Sequence, residues 1–543
     1  MKKIVGAALA PCVHVAGLDH FLRLCEKHGW SAIALGPAIP VQNVLAAVDA
    51  ELPDWVALSY RLTPEDLAPI LEDLRRGLDR LVGPRPKLVF GGTPAAAVVA
   101  KASGLFEKVF DGTESMQEIQ AFAAGQAPRR KQRDFPQDLA ARIDQSYPFP
   151  LIRHHYGEPD LARTIRGARR IANAGVLDVL SIGPDQNAQE HFFHPERMDP
   201  GQHGAGGVPV RTPDDLAAIY KATRRGNYPL VRCYSGTRDL IAWARMSIET
   251  IHNAWAAIPL CWYSVMDGRS PIPFPGAIVE KQEAMRFYAE QGLPVEVNES
   301  HQWSLREAHD ALAVAMAFLA AYNAKAQGVK RYIIQMMHNT PPSTSPAMDL
   351  AKMLAKLELI REIEGPDFTT WREVRAGIAS LPPDFDEAKG HMAASAVYAM
   401  ALKPHILHVV GFSEAYRVVD PKILIESCRI ARGAVRLALQ GAPDPLHDPA
   451  VLARKTHLVS QARILLDGIR RLGPNSADPW SDPDVLSRAI ATGMLDTPHF
   501  RGNPHLCGRI ATACVNGGWE AVEPATGRII GEEERLQSLI KTA

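Results

Sequence analysis

The sequence predicts an α/β protein of two parallel-sheet units. The first is a doubly wound, Rossmann-like (flavodoxin-like) sheet over residues 1–124, and the second a (β/α)8 TIM barrel over 151–480. Two observations predict the sheets: short apolar runs alternate with amphipathic segments through residues 1–122, and the alternation resumes at larger scale after a polar stretch. A third is length, since 543 residues exceed one core at roughly 150 residues per domain.

In chain order, KKIVGAALA, SAIALG, WVALSY and KLVFGG read as strands, with helices at 18–28, 41–50, 64–80 and 94–103 between them. Leu18, Phe21, Leu22 and Cys25 share one face of the first helix. Such βαβ units make a right-handed parallel sheet whose ligands sit beyond the carboxyl ends of its strands. Lys2-Lys3 before IVGAALA resembles a short signal peptide, but the run is short and a strand, turn and helix continue from it, so a cytoplasmic chain is expected. Residues 125–150, polar, basic and proline-bearing, read as a linker, with Arg129-Arg130-Lys131 a solvated run.

Barrel strands are expected at 176–183, 228–236, 257–264, 294–300, 331–337 and 405–412, with a long helix at 305–327. Six strand-helix units over this length imply two more that the pattern does not resolve. Residues 481–543 form a C-terminal extension expected to pack on the barrel.

Lys plus Arg and Asp plus Glu are both 60, so no global field points to nucleic acid or to an acidic tail. No apolar stretch is long enough to span a membrane. Seven scattered cysteines without a CxxC pair suit reduced thiols. The expected partner is a small molecule, with neither nucleic acid nor membrane, and homodimerisation stays open.

The loop after strand one, Cys12-Val13-His14-Val15-Ala16-Gly17, places an imidazole at the sheet's carboxyl edge, beside a glycine that permits close approach. Alone, this hexapeptide reads as an ordinary loop histidine. Ser59 ends strand three with Thr63 just beyond, Gly91-Gly92 ends strand four, and Asp111-Gly112-Thr113-Glu114-Ser115 follows the last strand. Together they outline one crevice rimmed with glycine and hydroxyl groups.

These motifs resemble the vitamin B12-binding domain of adenosylcobalamin mutases and methionine synthase, which carries D-x-H-x-x-G, a serine after the third strand and G-G after the fourth. The likeness is to the small subunit of the glutamate mutase (methylaspartate mutase) family. It implies that His14 is the lower ligand of cobalt in base-off, His-on adenosylcobalamin. The displaced nucleotide tail would pass Ser59, Gly91, Gly92 and Thr113, and Cys12, Val15, Gly17, Thr63 and Gly112 are expected among the cofactor-binding residues. Cys12 stands where the family has aspartate, and a thiol is a weak donor and acceptor; Asp19 is a candidate substitute.

Residues 272–292, 381–401, 420–439 and the region around ATGMLDTPHF resemble the large barrel subunit of the same family, so two subunits look fused in one chain. Corrinoid methyltransferases usually precede the B12 domain with a helical cap, whereas strand one opens this sequence, which favours a radical mutase. The resemblance implies a carbon-skeleton mutase acting on a small carboxylic or amino acid. Its arginines would clamp the substrate carboxylates. Arg153 falls near one such position, Tyr234 takes another with Arg232 on the same strand face, and Arg269 and Asp267 lie near family positions held here by Ser264, Ser270 and Phe274. Glu299 and His301 end a barrel strand, where polar residues tend to be functional, and are read as catalytic with Asp267. The rival readings are a corrinoid methyltransferase and a cobalamin sensor or carrier without turnover.

HFFHPERMDPGQH offers His191, His194 and His203 without a third spaced ligand motif and reads as a barrel-mouth loop touching substrate or adenosyl group rather than a metal site; HGAGGVP lacks the Lys-Ser/Thr of a phosphate loop and reads as a flexible βα loop; Met336, Met337 and His338 end a barrel strand, where the methionines equally suit core packing.

Overall fold

A computed structural model describes residues 2–114, 116–126, 135–234, 236–270 and 272–542. Two compact units divide the chain, Met1–Asp134 and Phe135–Ala543. Arg129-Arg130-Lys131 and Ser115 lie outside the described residues.

The first unit contains β1 (Lys3–Leu9), β2 (Ser31–Ile39), β3 (Trp55–Tyr60), β4 (Lys87–Gly92) and β5 (Lys108–Phe110). All pairings are parallel, in the order β2-β1-β3-β4-β5. β1 and β3 are buried almost throughout, so they read as continuous apolar runs rather than alternating ones. Helices Ala16–Lys27, Val41–Glu51, Pro64–Leu78 and Pro94–Ser103 fall within two residues of their expected bounds. Pro64 and Pro94 each open a helix, where the missing N–H costs nothing. The strand order reverses between β1 and β3, which opens a crevice at their carboxyl ends.

The second unit is a nearly closed barrel of β6 (Leu151–Tyr156), β7 (Val179–Ile182), β8 (Leu230–Cys233), β9 (Ala256–Ile258), β10 (Val295–Val297), β11 (Arg331–His338), β12 (Thr369–Ala376) and β13 (Ile406–His408). The sheet runs β8-β7-β6-β13-β12-β11-β10-β9. Ala254 N–H donates to Val231 O at 2.9 Å across the remaining gap, so backbone hydrogen bonding nearly completes the ring. β6 and β12 are the two strands that the apolar pattern does not resolve. Their inward positions hold Arg153 and His155, and Glu373 and Arg375, in place of apolar residues.

Where a linker was expected over 125–150, the helix Leu139–Ser146 belongs to the second unit. Asp138 caps it by accepting from Ala141 N–H at 3.0 Å. Its Leu139 and Ile143 pack against Leu151, Val179, Leu230, Ile333 and Ile406, and so close the amino-terminal end of the barrel. The helix expected over 305–327 begins at Asp310, because Glu307 takes a left-handed conformation that interrupts it after the short helix Ser300–Ser304. Among the described residues no helix is long and apolar enough to cross a membrane.

The C-terminal extension carries an antiparallel hairpin, β14 (Ala511–Val515) and β15 (Gly518–Val522), and the helix Glu532–Thr542. Two consecutive residues fasten it. The fully buried Asp310 accepts from Lys352 Nζ at 3.1 Å, Arg454 Nη2 at 2.9 Å and Trp519 N–H at 3.1 Å. His309 Nε2 lies 2.6 Å from Glu532 Oε1. Replacing Asp310 leaves two buried cations short of a partner, so Asp310→Ala is expected to destabilise the barrel unit by ~3–5 kcal/mol in denaturant unfolding and to expose the hairpin to limited proteolysis.

Candidate functional site

In the first unit the candidate residues gather at the carboxyl edge of the sheet, around the β1/β3 switch point. Cys12 N–H donates to Leu9 O at 2.8 Å and Cys12 O accepts from Ala38 N–H at 2.9 Å, which ties the start of the loop to the ends of β1 and β2. The Cys12 side chain is fully buried, whereas that of His14 is exposed. Cys12 Sγ stands 3.6 Å from His14 Nδ1. The contact at that nitrogen comes from Cys12 rather than Asp19. Ser59 Oγ, at the end of β3, donates to His14 O at 3.4 Å and bridges the switch point.

The two adjacent glycines differ. A Cβ on Gly91 would meet nothing within 4 Å, as on Gly17 and Gly112, so these positions border open space. A Cβ on Gly92 would lie 2.5 Å from Tyr60 O and 2.7 Å from Phe90 Cε1, so this glycine serves the packing of the sheet itself. Two hydroxyls face local partners: Thr63 Oγ1 donates to Asp66 and Thr113 Oγ1 to Asp111 Oδ1.

In the barrel, the inward positions form a buried polar network. Arg153 is fully buried; its Nη1 pairs with Glu373 and with Glu296 at 3.3 Å, and its Nε donates to Ser181 Oγ at 2.9 Å. Trp255 Nε1 donates to Glu296 at 2.7 Å, and Gln335 Nε2 bridges Glu296 and Glu373 at 2.8 and 3.2 Å. Burial and the neighbouring Glu373 push Glu296 up to about 7, against the pull of Arg153. The sequence places Arg153 on a substrate carboxylate; the structure gives its charge to two carboxylates of the protein.

Arg232 lies between the rings of Trp255 and Tyr234, 5.0 and 4.7 Å from their centroids, and Glu296 is 3.6 Å from its Nη1. All three of its guanidinium nitrogens are buried and, among the described residues, have no hydrogen-bond partner. Tyr234 Oη is 3.1 Å from His155 Nε2, and His155 also meets the His408 ring at 4.7 Å. Burial, reinforced by Arg153 and Arg375, pushes His155, His301 and His408 well below the usual histidine range, so all three are neutral at pH 7.

Two residues expected to be catalytic have their oxygens committed elsewhere. Glu299 accepts from Leu260 N–H at 2.7 Å, Cys261 N–H at 3.0 Å and Trp303 Nε1 at 2.8 Å, which pins the loop after β9. Asp267 accepts from Tyr263, Ser264 and Arg269 N–H, which shapes the next turn. Both are positioning residues. His301 is buried with Nδ1 unpartnered. Arg269 is exposed and stacks on Tyr263 at 5.0 Å. Sequence reasoning missed Glu296, Gln335, Glu373, Arg375 and His408; the signal was the period-2 placement of Glu373 and Arg375 in TTWREVRA, and Gln335 as a lone polar residue within RYIIQMMH.

Among the described residues no group of three or more His, Cys, Asp or Glu side chains could hold a metal ion. His194 instead pairs with Asp239 at 3.2 Å, and Gly204 N–H, in HGAGGVP, donates to Asp185 at 2.9 Å.

Comparison with known proteins bears on the first unit. Its residues 2–119 match the B12 binding domain family. The first unit is a B12-binding domain. A solved structure of a novel cobalamin-binding protein from Desulfitobacterium hafniense DCB-2 is 24% identical, over 22% of this chain and 57% of that one, with a TM-score of 0.19. The chain therefore spans little more than half of that relative. The cobalamin-dependent S-adenosylmethionine radical enzyme OxsB, in its apo form, is 10% identical over 90% of this chain and 70% of that one, with a TM-score of 0.18. No curated protein matches.

The open space at Gly91 and the exposed His14 fit a corrin ring and its tail. Gly91→Val is expected to leave the unfolding midpoint within ~0.5 kcal/mol of the parent while weakening cobalamin binding at least about tenfold, by equilibrium dialysis. Gly92→Ala is expected to do the converse first, costing ~1–3 kcal/mol of stability through the clash with Tyr60 O.

Proposed function

We propose that the chain is an adenosylcobalamin-dependent carbon-skeleton mutase acting on a small acid. The observation that carries this reading is the geometry of His14: exposed at the switch point, its Nδ1 against the Cys12 thiol and its Nε2 free to ligate. The bound cofactor would supply a carbon-centred radical by homolysis of its cobalt–carbon bond. Gly17, Gly91 and Gly112 let the backbone approach the tail, and Ser59 holds the carbonyl of His14.

The barrel supports the enzyme part of the reading through its polar interior. Tyr234 and His155 stand within hydrogen-bond reach of each other after β8 and on β6, buried arginines could orient an anionic substrate, and the barrel walls would keep water from reactive species. No general acid or base is required of these residues; their work is orientation, exclusion of water and electrostatic control. The committed oxygens of Glu299 and Asp267 and the internal pairing of Arg153 favour one second reading, cobalamin binding without turnover.

Cobalamin reduced to the cobalt(II) state and bound to the full chain is expected to show three-line nitrogen splitting in its electron paramagnetic resonance spectrum, changing to two lines with 15N-histidine. His14→Ala is expected to abolish it. An unchanged spectrum in that variant would refute histidine ligation. A panel of small acids added to the adenosylcobalamin-loaded protein then separates the two readings: a substrate-triggered paramagnetic signal supports the mutase, and its absence with every acid supports binding without turnover.

A further inference from the structure

The outer wall of the barrel carries a groove lined by cations without counter-charges. It lies between the helix Leu161–Ala174, which follows β6, and the helix Pro421–Leu439, which follows β13; β6 and β13 are neighbours in the sheet. The groove has two lobes, with cavity volumes of about 400 and 500 Å3. Arg163 and Arg166 line the first and Arg429 the second, while Arg170 and Lys422 line both, so the lobes are contiguous. All of these residues belong to the second unit.

The three acids at the groove are engaged elsewhere. Glu158 accepts from Tyr156 Oη at 2.7 Å and pairs with Arg163 at 2.8 Å. Asp420 caps the second helix, accepting from Lys422 and Ile423 N–H at 2.7 and 2.9 Å. Glu426 pairs at 3.1 Å with Lys389 of the helix Phe385–Ala401. Among the described residues no ion pair engages the side chains of Arg166, Arg170, Lys422 or Arg429, and all four are exposed.

Local stability does not account for this arrangement. The first helix, LARTIRGARRIANA, holds four arginines and no acidic residue, and Arg166 and Arg170 stand four residues apart on one face, where like charges repel. Lys422 and Arg429, seven residues apart, share a face of the other helix. A concave surface lined by one sign of charge concentrates its potential and gathers anions. A four-residue step is about 6 Å along the axis, within the span of phosphoryl groups linked through oxygen, and guanidinium forks match phosphate oxygens.

We propose that this groove binds an anion with two or more linked phosphoryl groups, free as a polyphosphate or carried by a nucleotide. Such a ligand answers several cations at once, which a single phosphate does not. The site uses none of the residues assigned to cobalamin or to the barrel interior, so it stands apart from the mutase reading.

Isothermal titration calorimetry of the full chain with inorganic tripolyphosphate, at about 0.15 M salt, tests the proposal. One site per chain is expected, with orthophosphate and citrate bound at least about tenfold more weakly. Arg166→Ala combined with Arg170→Ala is expected to weaken tripolyphosphate binding at least about tenfold, with circular dichroism unchanged because both side chains are exposed. Arg169→Ala removes an exposed charge of the same helix that lines neither lobe, and is expected to leave the affinity unchanged. ATP in place of tripolyphosphate distinguishes the two sources: tighter binding that the double variant loses identifies a nucleotide, and weaker binding identifies a free polyphosphate. Binding of neither ligand to the parent, equal binding of citrate, undiminished binding by the double variant, or an equal loss in Arg169→Ala would each overturn the proposal.

Discussion

The barrel is organised around one buried cation. Arg153 reaches Glu373, Glu296 and Ser181 from β6, and Gln335 and Trp255 complete the hydrogen bonding of the two glutamates. Taking these ions out of water costs several kcal/mol each, which only close pairing and further hydrogen bonds offset. The partners sit on or beside β6, β7, β9, β10, β11 and β12, so the network couples the register of most of the wall. A one-residue slip of β6 would turn Arg153 into the apolar layer that holds Ile152 and Tyr156.

That choice of interior has consequences at both ends. At the amino-terminal end the strand starts are apolar, and Leu139 and Ile143 seal them. Towards the carboxyl end burial, reinforced by the field of the arginines, keeps His155, His301 and His408 neutral, so these rings offer one donor and one acceptor each rather than charge. The loop after β9 is held by Glu299 and Asp267, and Phe500 of the extension packs on Trp262 and Trp303 beside it, with ring centroids 5.7 and 5.5 Å away. Residues that a motif reading assigns to chemistry therefore hold still the loops on which chemistry would depend.

The first unit was largely legible because its central strands β1 and β3 are buried almost throughout and read as apolar runs, and because Ser59 and Gly91 mark strand ends where a parallel sheet must bind ligands. In the barrel, legibility failed for a single cause. β6 and β12 turn Arg153, His155, Glu373 and Arg375 inward, so the residues that make the lumen polar also erase the apolar signature of the strands that carry them. Fold and site became unreadable at the same positions. The helix Leu139–Ser146 escaped for a related reason: only Leu139 and Ile143 mark its buried apolar face within a polar, proline-flanked stretch.

Cys12 shows how a motif can keep its geometry while losing its charge. The thiol is fixed by the backbone bonds of Cys12 to β1 and β2 and meets His14 Nδ1, the nitrogen for which the family resemblance expects a carboxylate. A neutral sulfur withdraws less proton density from that nitrogen than a carboxylate does, and the opposite nitrogen is correspondingly a weaker donor to metal. The barrel departs in the same sense, for Ser264 occupies the place where the family resemblance expects a carboxylate, and its hydroxyl donates to Cys261 O at 2.8 Å. Each departure removes, within its own unit, a negative charge that the family resemblance expects.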